Sequence, residues 1–228
     1  MHNCTSKRFS LYIILLVILL NCSFLTAQSA LLGSASGFTL FTAAGAFGNT
    51  GVSTVVTGDV GTNVGAFTAF PPGTLIGAQH VADAISAQAA IDVDVAFMNL
   101  GGLTCGLVLG STLGNGQILT PNIYCIGAAT SLNGMLTLDG QGNPNAVFII
   151  QIDGALSTNA NSSVVLINSA SLCNVYWRIN GAVALGVNST FRGTMLVNGA
   201  ISLETVIWLA APQKRKILGE HARLFRCF

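Results

Sequence analysis

Three stretches of this chain repeat one another, and this repeat constrains the fold more than any other feature of the sequence. Each has an apolar strand, an Asp or Asn, a Gly-Ala pair and another apolar residue: VFIIQIDGAL at 147–156, VYWRINGAV at 175–183 and TMLVNGAI at 194–201. With the Gly-Ala pair at 127–128, the pairs are 27, 27 and 18 residues apart. A recurring period of this size is typical of stacked coils. Because ~18 residues hold about three short strands and their corners, the repeat predicts a parallel β-helix.

The residues between the Gly-Ala pairs fit this interpretation. β-Branched and aromatic residues dominate the predicted strands at 54–57, 147–150, 164–167 and 175–177, whereas Gly and Asn occupy the corners. The longer intervals carry turn-rich inserts at 139–145 and 169–173, which we expect to leave the coil as surface loops. The sequence therefore predicts a mainly β fold.

One segment departs from the repeat. Residues 78–98 are rich in alanine, and Gly101-Gly102 follows as a stop signal. The larger apolar residues recur at helical spacing along one stripe, which is interrupted near Asp92. The stripe consists of Val81, Ala84, Ile85, Ile91, Val95 and Met98. The pattern predicts one amphipathic helix of about 20 residues that lies along the solenoid and covers an apolar side of it.

The first 27 residues resemble a secretory signal. Lys7 and Arg8 precede a largely apolar run at 9–20, and small residues follow at 25–30. Because the apolar run is shorter than the roughly 20 residues of a membrane span, it predicts a cleaved signal peptide, with an uncleaved anchor as the alternative. We therefore expect a secreted, extracellular protein with one solenoid domain at 28–203.

Charged residues make up only 7% of the chain, against about 25% in ordinary soluble domains. Between residues 31 and 203 the only Lys or Arg residues are Arg178 and Arg192. Nucleic acid requires clustered basic side chains, so it is excluded as an expected partner of this region.

Six cysteines occur, and Cys4 and Cys22 belong to the signal segment. In an exported chain, Cys105 and Cys125 flank a loop-rich segment that a disulfide would close, contributing roughly 3 kcal/mol. We therefore favour a disulfide between Cys105 and Cys125, although spacing alone leaves the connectivity of the four remaining cysteines open.

The last segment, at 204–228, differs from the rest in composition. Five of the nine basic residues of the chain lie between Lys214 and Arg226. So abrupt a change suggests a reading-frame shift or a truncated final coil. A genuine amphipathic tail helix that caps the last coil is the alternative.

Several motifs, taken in order, resemble the microbial ice-binding family of the domain-of-unknown-function 3494 type. They are LGSASGF at 32–38, TGDVGTN at 57–63, FPPGT at 70–74, LTPNIYC at 119–125, NPNAVFIIQ at 143–151, SSVVLIN at 162–168 and CNVYW at 173–177. The resemblance covers about three-quarters of the chain. It implies a discontinuous right-handed β-solenoid of triangular section with one long α-helix packed alongside. It also implies an extracellular protein that adsorbs to ice, depresses freezing and hinders recrystallisation, without a cofactor.

Ice offers no charge and no pocket, so its recognition needs many weak contacts on a rigid repeating surface. Stacked coils repeat every ~4.8 Å, and side chains two apart on a strand lie ~6.7 Å apart, both near repeats of the ice lattice. Short hydroxyl, amide and methyl groups suit this task, because they order water without a charged hydration shell. We expect a flat face of outward-pointing Thr, Ser and Asn with Ala, and replacing Ser157 or Thr190 by Tyr should weaken binding. The candidate ice-binding residues are Thr54, Thr57, Thr130, Asn133, Ser157, Asn159, Asn188 and Thr190.

Parallel β-helices also include polysaccharide-cleaving enzymes, so the carboxylates are possible catalytic groups. Asp59, Asp139 and Asp153 each sit beside a glycine or in a turn, where an Asp commonly bonds to the backbone. His80 and Asp83 could meet across one helical turn, but the sequence offers no nucleophile beside them. We therefore expect no enzyme, no metal and no cofactor. A monomer that binds ice is the leading hypothesis, and a cell-surface adhesion or glycan-binding module, or an inactive family member, are the alternatives.

Overall fold

The computed structural model describes residues 32–44, 46–48, 55–68, 70–71, 73–203 and 208–209. The predicted signal peptide at 1–27 and most of the tail at 204–228 lie outside these residues. The described chain forms a parallel β-solenoid with one α-helix beside it, so the predicted fold class is confirmed.

The described residues from 107 onward, 107–203 and 208–209, form three sheets, each with five parallel strands. Sheet 1 contains β8 (Leu107–Val108), β11 (Asn122–Ile126), β14 (Phe148–Ile152), β17 (Val175–Ile179) and β20 (Thr194–Val197). Sheet 2 contains β9 (Thr112–Gly114), β12 (Thr130–Asn133), β15 (Leu156–Thr158), β18 (Val183–Leu185) and β21 (Ile201–Leu203). Sheet 3 contains β10 (Gln117–Leu119), β13 (Met135–Asp139), β16 (Ser163–Ile167), β19 (Thr190–Phe191) and β22 (Trp208–Leu209). Each coil contributes one strand to each sheet.

The chain before the helix forms shorter parallel sheets. A 3-10 helix, η1 (Gly33–Gly37), precedes them, and the sheet orders are β1-β4-β7, β2-β5 and β3-β6. The strands are β1 (Phe38–Thr42), β2 (Phe47–Gly48), β3 (Val55–Thr57), β4 (Asp59–Thr62), β5 (Phe67–Thr68), β6 (Thr74–Ile76) and β7 (Gln79–Val81). A second 3-10 helix, η2 (Leu172–Asn174), lies in the insert before β17.

The register of sheet 2 explains the repeat in the sequence and corrects one part of it. Leu156 pairs with Val183, and Val183 pairs with Ile201, so the three Gly-Ala pairs at 154, 181 and 199 lie over one another. In the preceding coil, Thr130 pairs with Leu156. The residues over Gly154-Ala155 are therefore Ala128-Ala129, and the predicted equivalence of the 127–128 pair was wrong by one residue. A single-residue shift in a strand reverses which side chains face outward, so this error matters for the site.

The stacked glycines are needed because neighbouring coils approach closely at this corner. A Cβ on Gly181 would lie 2.6 Å from the backbone nitrogen of Ala155 and 2.7 Å from the carbonyl carbon of Gly154. We predict that Gly181→Ala lowers the free energy of unfolding by about 1–3 kcal/mol, because the coils must separate to admit the methyl group.

Gly127→Ala is the matched control, since a Cβ there meets no atom within 4 Å. Its free energy of unfolding should stay within about 0.5 kcal/mol of the parent. Urea unfolding of both variants measures the difference, and equal stabilities would contradict the close approach at Gly181.

The core lies between the three sheets. Large apolar side chains from each sheet point inward, and Trp177, Phe148 and Phe191 are the largest that are fully buried. The Trp177 ring packs against Phe191 at 4.8 Å between centroids, and its Nε1 donates to the Arg192 carbonyl at 3.0 Å. This core gives the outer surface of the coils a rigid support.

The helix, α1 (Ala84–Gly101), exists as predicted, but it begins six residues later than expected. Asp83 is its N-cap: the carboxylate accepts from the Ser86 N–H, and the Ser86 hydroxyl accepts from the Asp83 N–H. This reciprocal capping box defines a sharp start. The preceding segment pairs as β7 instead, because strand β4 offers it a parallel partner.

The predicted packing face of the helix was wrong. Small side chains, Ala89 and Ala96, are buried with Leu100, whereas Ile85, Ile91, Val95 and Met98 are 43–65% exposed. Alanines let the helix axis approach sheet 1 closely, where Ile149, Tyr176 and Leu196 cover it. The apolar residues expected to pack therefore lie on the outer side.

Asp92 joins the helix to η1. Its carboxylate accepts hydrogen bonds from the Ser34 hydroxyl and the Ser34 N–H, each at 2.6 Å, and from Gln88 at 2.9 Å. The hydrogen bonds from Ser34, and after them that from Gln88, hold the pKa of Asp92 below its ordinary value. The interruption of the predicted stripe at Asp92 thus marks the side of the helix that contacts η1.

The predicted disulfide between Cys105 and Cys125 is present, with 5.9 Å between the two Cα atoms. It ties the segment after the helix to β11. Nearby, the Gln151 amide donates to the Leu100 carbonyl at 2.7 Å, and the Leu103 N–H donates to the same carbonyl at 3.3 Å, so the end of the helix is joined to sheet 1.

Two residues of the compositionally distinct tail continue the solenoid. Trp208 and Leu209 form β22, which pairs in parallel with Thr190 and Phe191. The proposed frame shift is a hypothesis about residues that otherwise lie outside the described chain.

Candidate functional site

The outer side of sheet 2 carries only small neutral side chains over four coils. Strand alternation buries Leu113, Leu132, Leu156 and Val183 in the core, and the residues between them point outward. One outward row, in register from coil to coil, is Thr112, Ser131, Ser157 and Ala184. A second row lies two residues before positions 131, 157, 184 and 202 and consists of Ala129, Ala155, Ala182 and Ala200, all exposed. We call these eight residues the small-residue surface.

The two rows form a lattice. Coils of a parallel sheet stack ~4.8 Å apart, and residues two apart on one strand are separated by ~6.7 Å. No charged residue occurs in the four strands β9, β12, β15 and β18. The surface is therefore a regular array of methyl and hydroxyl groups.

The corner between sheets 2 and 3 is fixed by buried hydroxyl groups. Ser162 donates to the Leu132 carbonyl at 2.8 Å, Ser189 donates to the Gly186 carbonyl at 2.7 Å, and the Gly186 N–H donates to the Thr158 hydroxyl at 2.9 Å. Each of these bonds is buried. Satisfied buried hydrogen bonds of this kind hold the backbone in one conformation, so the edge of the surface is rigid.

The other two sheets present different outer sides. Sheet 1 is covered by the helix. Sheet 3 exposes bulky side chains of uneven size, among them Ile118, Met135 and Ile167, while Thr137 between them is buried. Sheet 2 is thus the one of the three five-stranded sheets whose outer side is both open and evenly composed.

Of the predicted site residues, three lie on or beside the small-residue surface. Ser157 is an exposed member of its Ser/Thr row. Asn133 lies at the end of β12 with its amide nitrogen 3.5 Å from the Ser131 hydroxyl, and Asn159 is exposed just after β15.

The prediction for Thr130 was wrong. Its side chain points inward and only 3% of the residue is exposed, while its hydroxyl donates to the Ala128 carbonyl at 3.1 Å. The misplaced Gly-Ala pair at 127–128 caused this error, because a shift of one residue exchanges the two faces of a strand.

The remaining candidates lie elsewhere. Thr190 is on β19 of sheet 3, and Asn188 is at the exposed corner before it. Thr57 belongs to β3, in a separate sheet with β6, and Thr54 lies outside the described residues. The eight predicted residues therefore do not form one surface.

Sequence reasoning missed the alanine row and Thr112. The signal was present, because the alanine of each Gly-Ala pair at 154, 181 and 199 is an exposed member of the row. Ala was expected on the binding face, but every candidate position named from the sequence was a Thr, Ser or Asn.

The carboxylates that were possible catalytic groups have structural partners. His80 Nδ1 and Asp83 Oδ2 are 2.8 Å apart, so the predicted meeting of the two side chains occurs. The Ser86 backbone N–H, followed by the His80 hydrogen bond, lowers the pKa of Asp83 to about 2. Asp83 is therefore an ionised helix cap with its oxygens engaged.

The three turn carboxylates differ from one another. Both Asp59 and Asp139 accept from a backbone N–H, as expected. Asp139 does so within its own turn, from Gln141, whereas Asp59, at the start of β4, accepts from Ala78 just before the paired strand β7. Asp153 instead accepts from the Arg178 side chain. Among the described residues, no cluster of three His, Cys, Asp or Glu side chains could hold a metal ion.

The part of the chain that the structure describes contains no helix long and apolar enough to cross a membrane.

Comparison with known proteins gives one consistent result. A family model described as ice-binding-like matches residues 41–211. The chain is 37% identical over 200 residues to an ice-binding protein of Nostoc sp. (strain HG1), covering 85% of this chain and 73% of that protein.

Solved structures agree with this match. The crystal structure of an ice-binding protein from the Antarctic ascomycete Antarctomyces psychrotrophicus superimposes with a TM-score of 0.72 at 34% identity, over 78% of this chain and 87% of that one. An ice-binding protein domain of Shewanella frigidimarina gives a TM-score of 0.68 at 26% identity, over 86% of this chain and 90% of that one.

Proposed function

Since the chain belongs to the ice-binding-like family, we propose that it binds ice and that the small-residue surface is the part that adsorbs. The observation that carries this proposal is the pair of registered rows on sheet 2, which bear only methyl and hydroxyl groups. The ice-binding function of the relatives supports the choice of ligand.

The physical reason is a match between two lattices. Next to the exposed methyl groups of the alanine row, water molecules hydrogen-bond to one another. The hydroxyls of Thr112, Ser131 and Ser157 can each donate a hydrogen bond to water and accept one from it. Water ordered at repeats of ~4.8 and ~6.7 Å is close to the arrangement of water in ice, so joining a growing crystal needs little rearrangement.

The rigidity of the small-residue surface also favours adsorption to ice. The core holds the backbone, and side chains as short as Ala, Ser and Thr have few rotamers to lose on adsorption. An array of long charged side chains would lose more conformational entropy and would also have to shed firmly held water. Small side chains on a stiff support therefore favour a surface-to-surface contact made of many weak interactions.

We further infer that the protein is secreted and acts outside the cell as a monomer, without a cofactor or a membrane partner. The predicted signal segment at 1–27 supports export. Adsorbed molecules would block the growth of ice between them, producing thermal hysteresis, the gap between the melting and the freezing temperature, and inhibiting recrystallisation.

Recrystallisation inhibition and thermal hysteresis of the purified full-length chain test this proposal. Folded protein should keep ice grains small during annealing just below 0 °C, and the same protein after heat unfolding should not. If the folded protein lets grains coarsen at the rate of buffer alone, the proposal is wrong.

One position in the row that contains Ser157 lacks a hydroxyl, and adding it should strengthen binding. Ala184 is exposed and follows Ser157 in the register of sheet 2. Ala184→Ser adds one donor and one acceptor without a change of charge, so we predict a modest rise in hysteresis at equal concentration. Ala184→Val, which adds only bulk, is the control and should lower it. A lower hysteresis for the serine variant than for the parent would count against a role for the hydroxyl row.

A further inference from the structure

Among the residues that the structure describes, Asp153 is the carboxylate nearest along the chain to the small-residue surface. It occupies the corner between β14 and β15, two residues before Ala155, and its side chain is 62% exposed. The equivalent corner positions of the next two coils hold neutral residues, Asn180 and Asn198. Asp153 is therefore the exception at an otherwise neutral border.

The other charges of the described solenoid coils lie away from this border. Asp139 ends β13 of sheet 3, where it accepts from Asn168. Arg192 follows β19 and donates to the Val164 carbonyl at 2.6 Å. Within residues 104–203, Arg178 is then the charged group placed to act on Asp153.

Arg178 is held in a fixed position by the helix. Its guanidinium carbon lies 4.4 Å from the centroid of the Phe97 ring, and its side chain is only 16% exposed. Gly101 makes room for it, because a Cβ on Gly101 would come within 3.0 Å of the guanidinium carbon. From this position one guanidinium nitrogen donates to Asp153 Oδ1 at 2.9 Å.

We propose that Arg178 is a positioning residue for ice binding, which neutralises Asp153 and so keeps the border of the small-residue surface free of unpaired charge. The inference rests on the proposed function of that surface. An unpaired carboxylate accepts hydrogen bonds through about four lone pairs and orients the water around it toward its charge. Water held in this way is not arranged as in ice. It would surround a side chain only two residues from Ala155 of the alanine row.

The proposal also gives the helix a part in the site. Phe97 and Gly101 belong to α1, and together they hold the guanidinium between the helix and sheet 1. The helix thus acts through Arg178 on a corner of the solenoid that it does not cover.

A double-mutant cycle in the full-length chain tests the proposal by thermal hysteresis. Arg178→Met keeps an apolar side chain against Phe97 but leaves Asp153 unpaired, so it should lose most of the hysteresis. Asp153→Asn should keep it, and the double variant D153N/R178M should recover it, because no charge remains. Arg178→Lys retains the charge and should stay near the parent.

Merely structural effects of losing Arg178 are the same in R178M and in the double variant, so the recovery isolates the charge. If the double variant is as inactive as R178M, or if R178M keeps full hysteresis, the inference is overturned. If the parent and D153N are both inactive while folded, the proposed function of the surface fails, and the inference with it.

A second pair of variants leaves Arg178 in place and so remains decisive if R178M does not fold. Gly127 occupies the position of Asp153 one coil earlier, and a Cβ there meets open space. Gly127→Asp adds an unpaired carboxylate to the same corner and should lower hysteresis, whereas Gly127→Asn should not. Equal hysteresis in the two variants would contradict the proposal.

Discussion

Replacing Ser157 by Tyr is expected to abolish most of the thermal hysteresis while leaving the protein folded. Ser157 lies in the Ser/Thr row, with Ser131 and Ala184 as its neighbours in the register, and it points outward from the solenoid. A tyrosine ring there would stand above the plane and hold the ice lattice away from both rows. Because many weak contacts act together, one protruding side chain should affect all of them. Nanolitre osmometry at equal concentrations measures the loss, and circular dichroism checks the fold.

Thr190→Tyr is the matched control, because the structure places Thr190 and Ser157 on different sheets. From the sequence, Ser157 and Thr190 were equivalent candidates, but Thr190 lies on β19 of sheet 3. Its replacement should leave hysteresis near the parent value. If T190Y is the inactive variant and S157Y is active, the adsorbing surface is sheet 3 and not the small-residue surface.

Trp177→Ala should cause the largest loss of stability, about 3–5 kcal/mol. Trp177 is fully buried where sheets 1 and 3 meet, packs on Phe191 and donates its Nε1–H to the Arg192 carbonyl. Its removal leaves a cavity beside two coils and an unpaired carbonyl group.

Trp177→Phe separates the two causes of this loss. It retains most of the apolar volume but removes the donor, so the free energy of unfolding should fall by less than in W177A. Urea unfolding followed by circular dichroism gives both values. A loss in W177A below about 1 kcal/mol would be typical of a surface substitution, and it would contradict the packing described for this core.

The fold could be predicted because several separate features of the sequence indicate the same repeat. Strand residues such as those at 147–152, the corner glycines and the 18-residue interval all indicate stacked coils, and each level agrees with the others. The disulfide between Cys105 and Cys125 was favoured because the two residues flank one loop, although the sequence left the connectivity open, and the structure contains it.

The first residue of the helix and the face that packs on the solenoid were harder to predict from the sequence. Nothing local in the sequence showed that 79–81 would pair with β4, since strand pairing depends on a partner distant in the sequence. The packed face was misjudged because large apolar residues were taken as the buried ones. Close packing of the helix on sheet 1 instead favours Ala89 and Ala96.

The candidate site was only partly predictable for a similar reason. The face on which a strand residue lies depends on its exact register, so an error of one residue placed the buried Thr130 among the exposed candidates. Corner inserts of unequal length also prevented the sequence from showing that Thr190 and Ser157 belong to different sheets. The alanine row was overlooked since a methyl group carries no chemical signal until its neighbours are known.

Growth of single ice crystals in a solution of the full-length protein tests the central claim most directly. With fluorescent label attached away from sheet 2, the folded parent should collect on particular crystal planes and give faceted crystals, and S157Y should leave the same planes dark. Round, unlabelled crystals growing in the presence of the folded parent would contradict the claim that this chain binds ice.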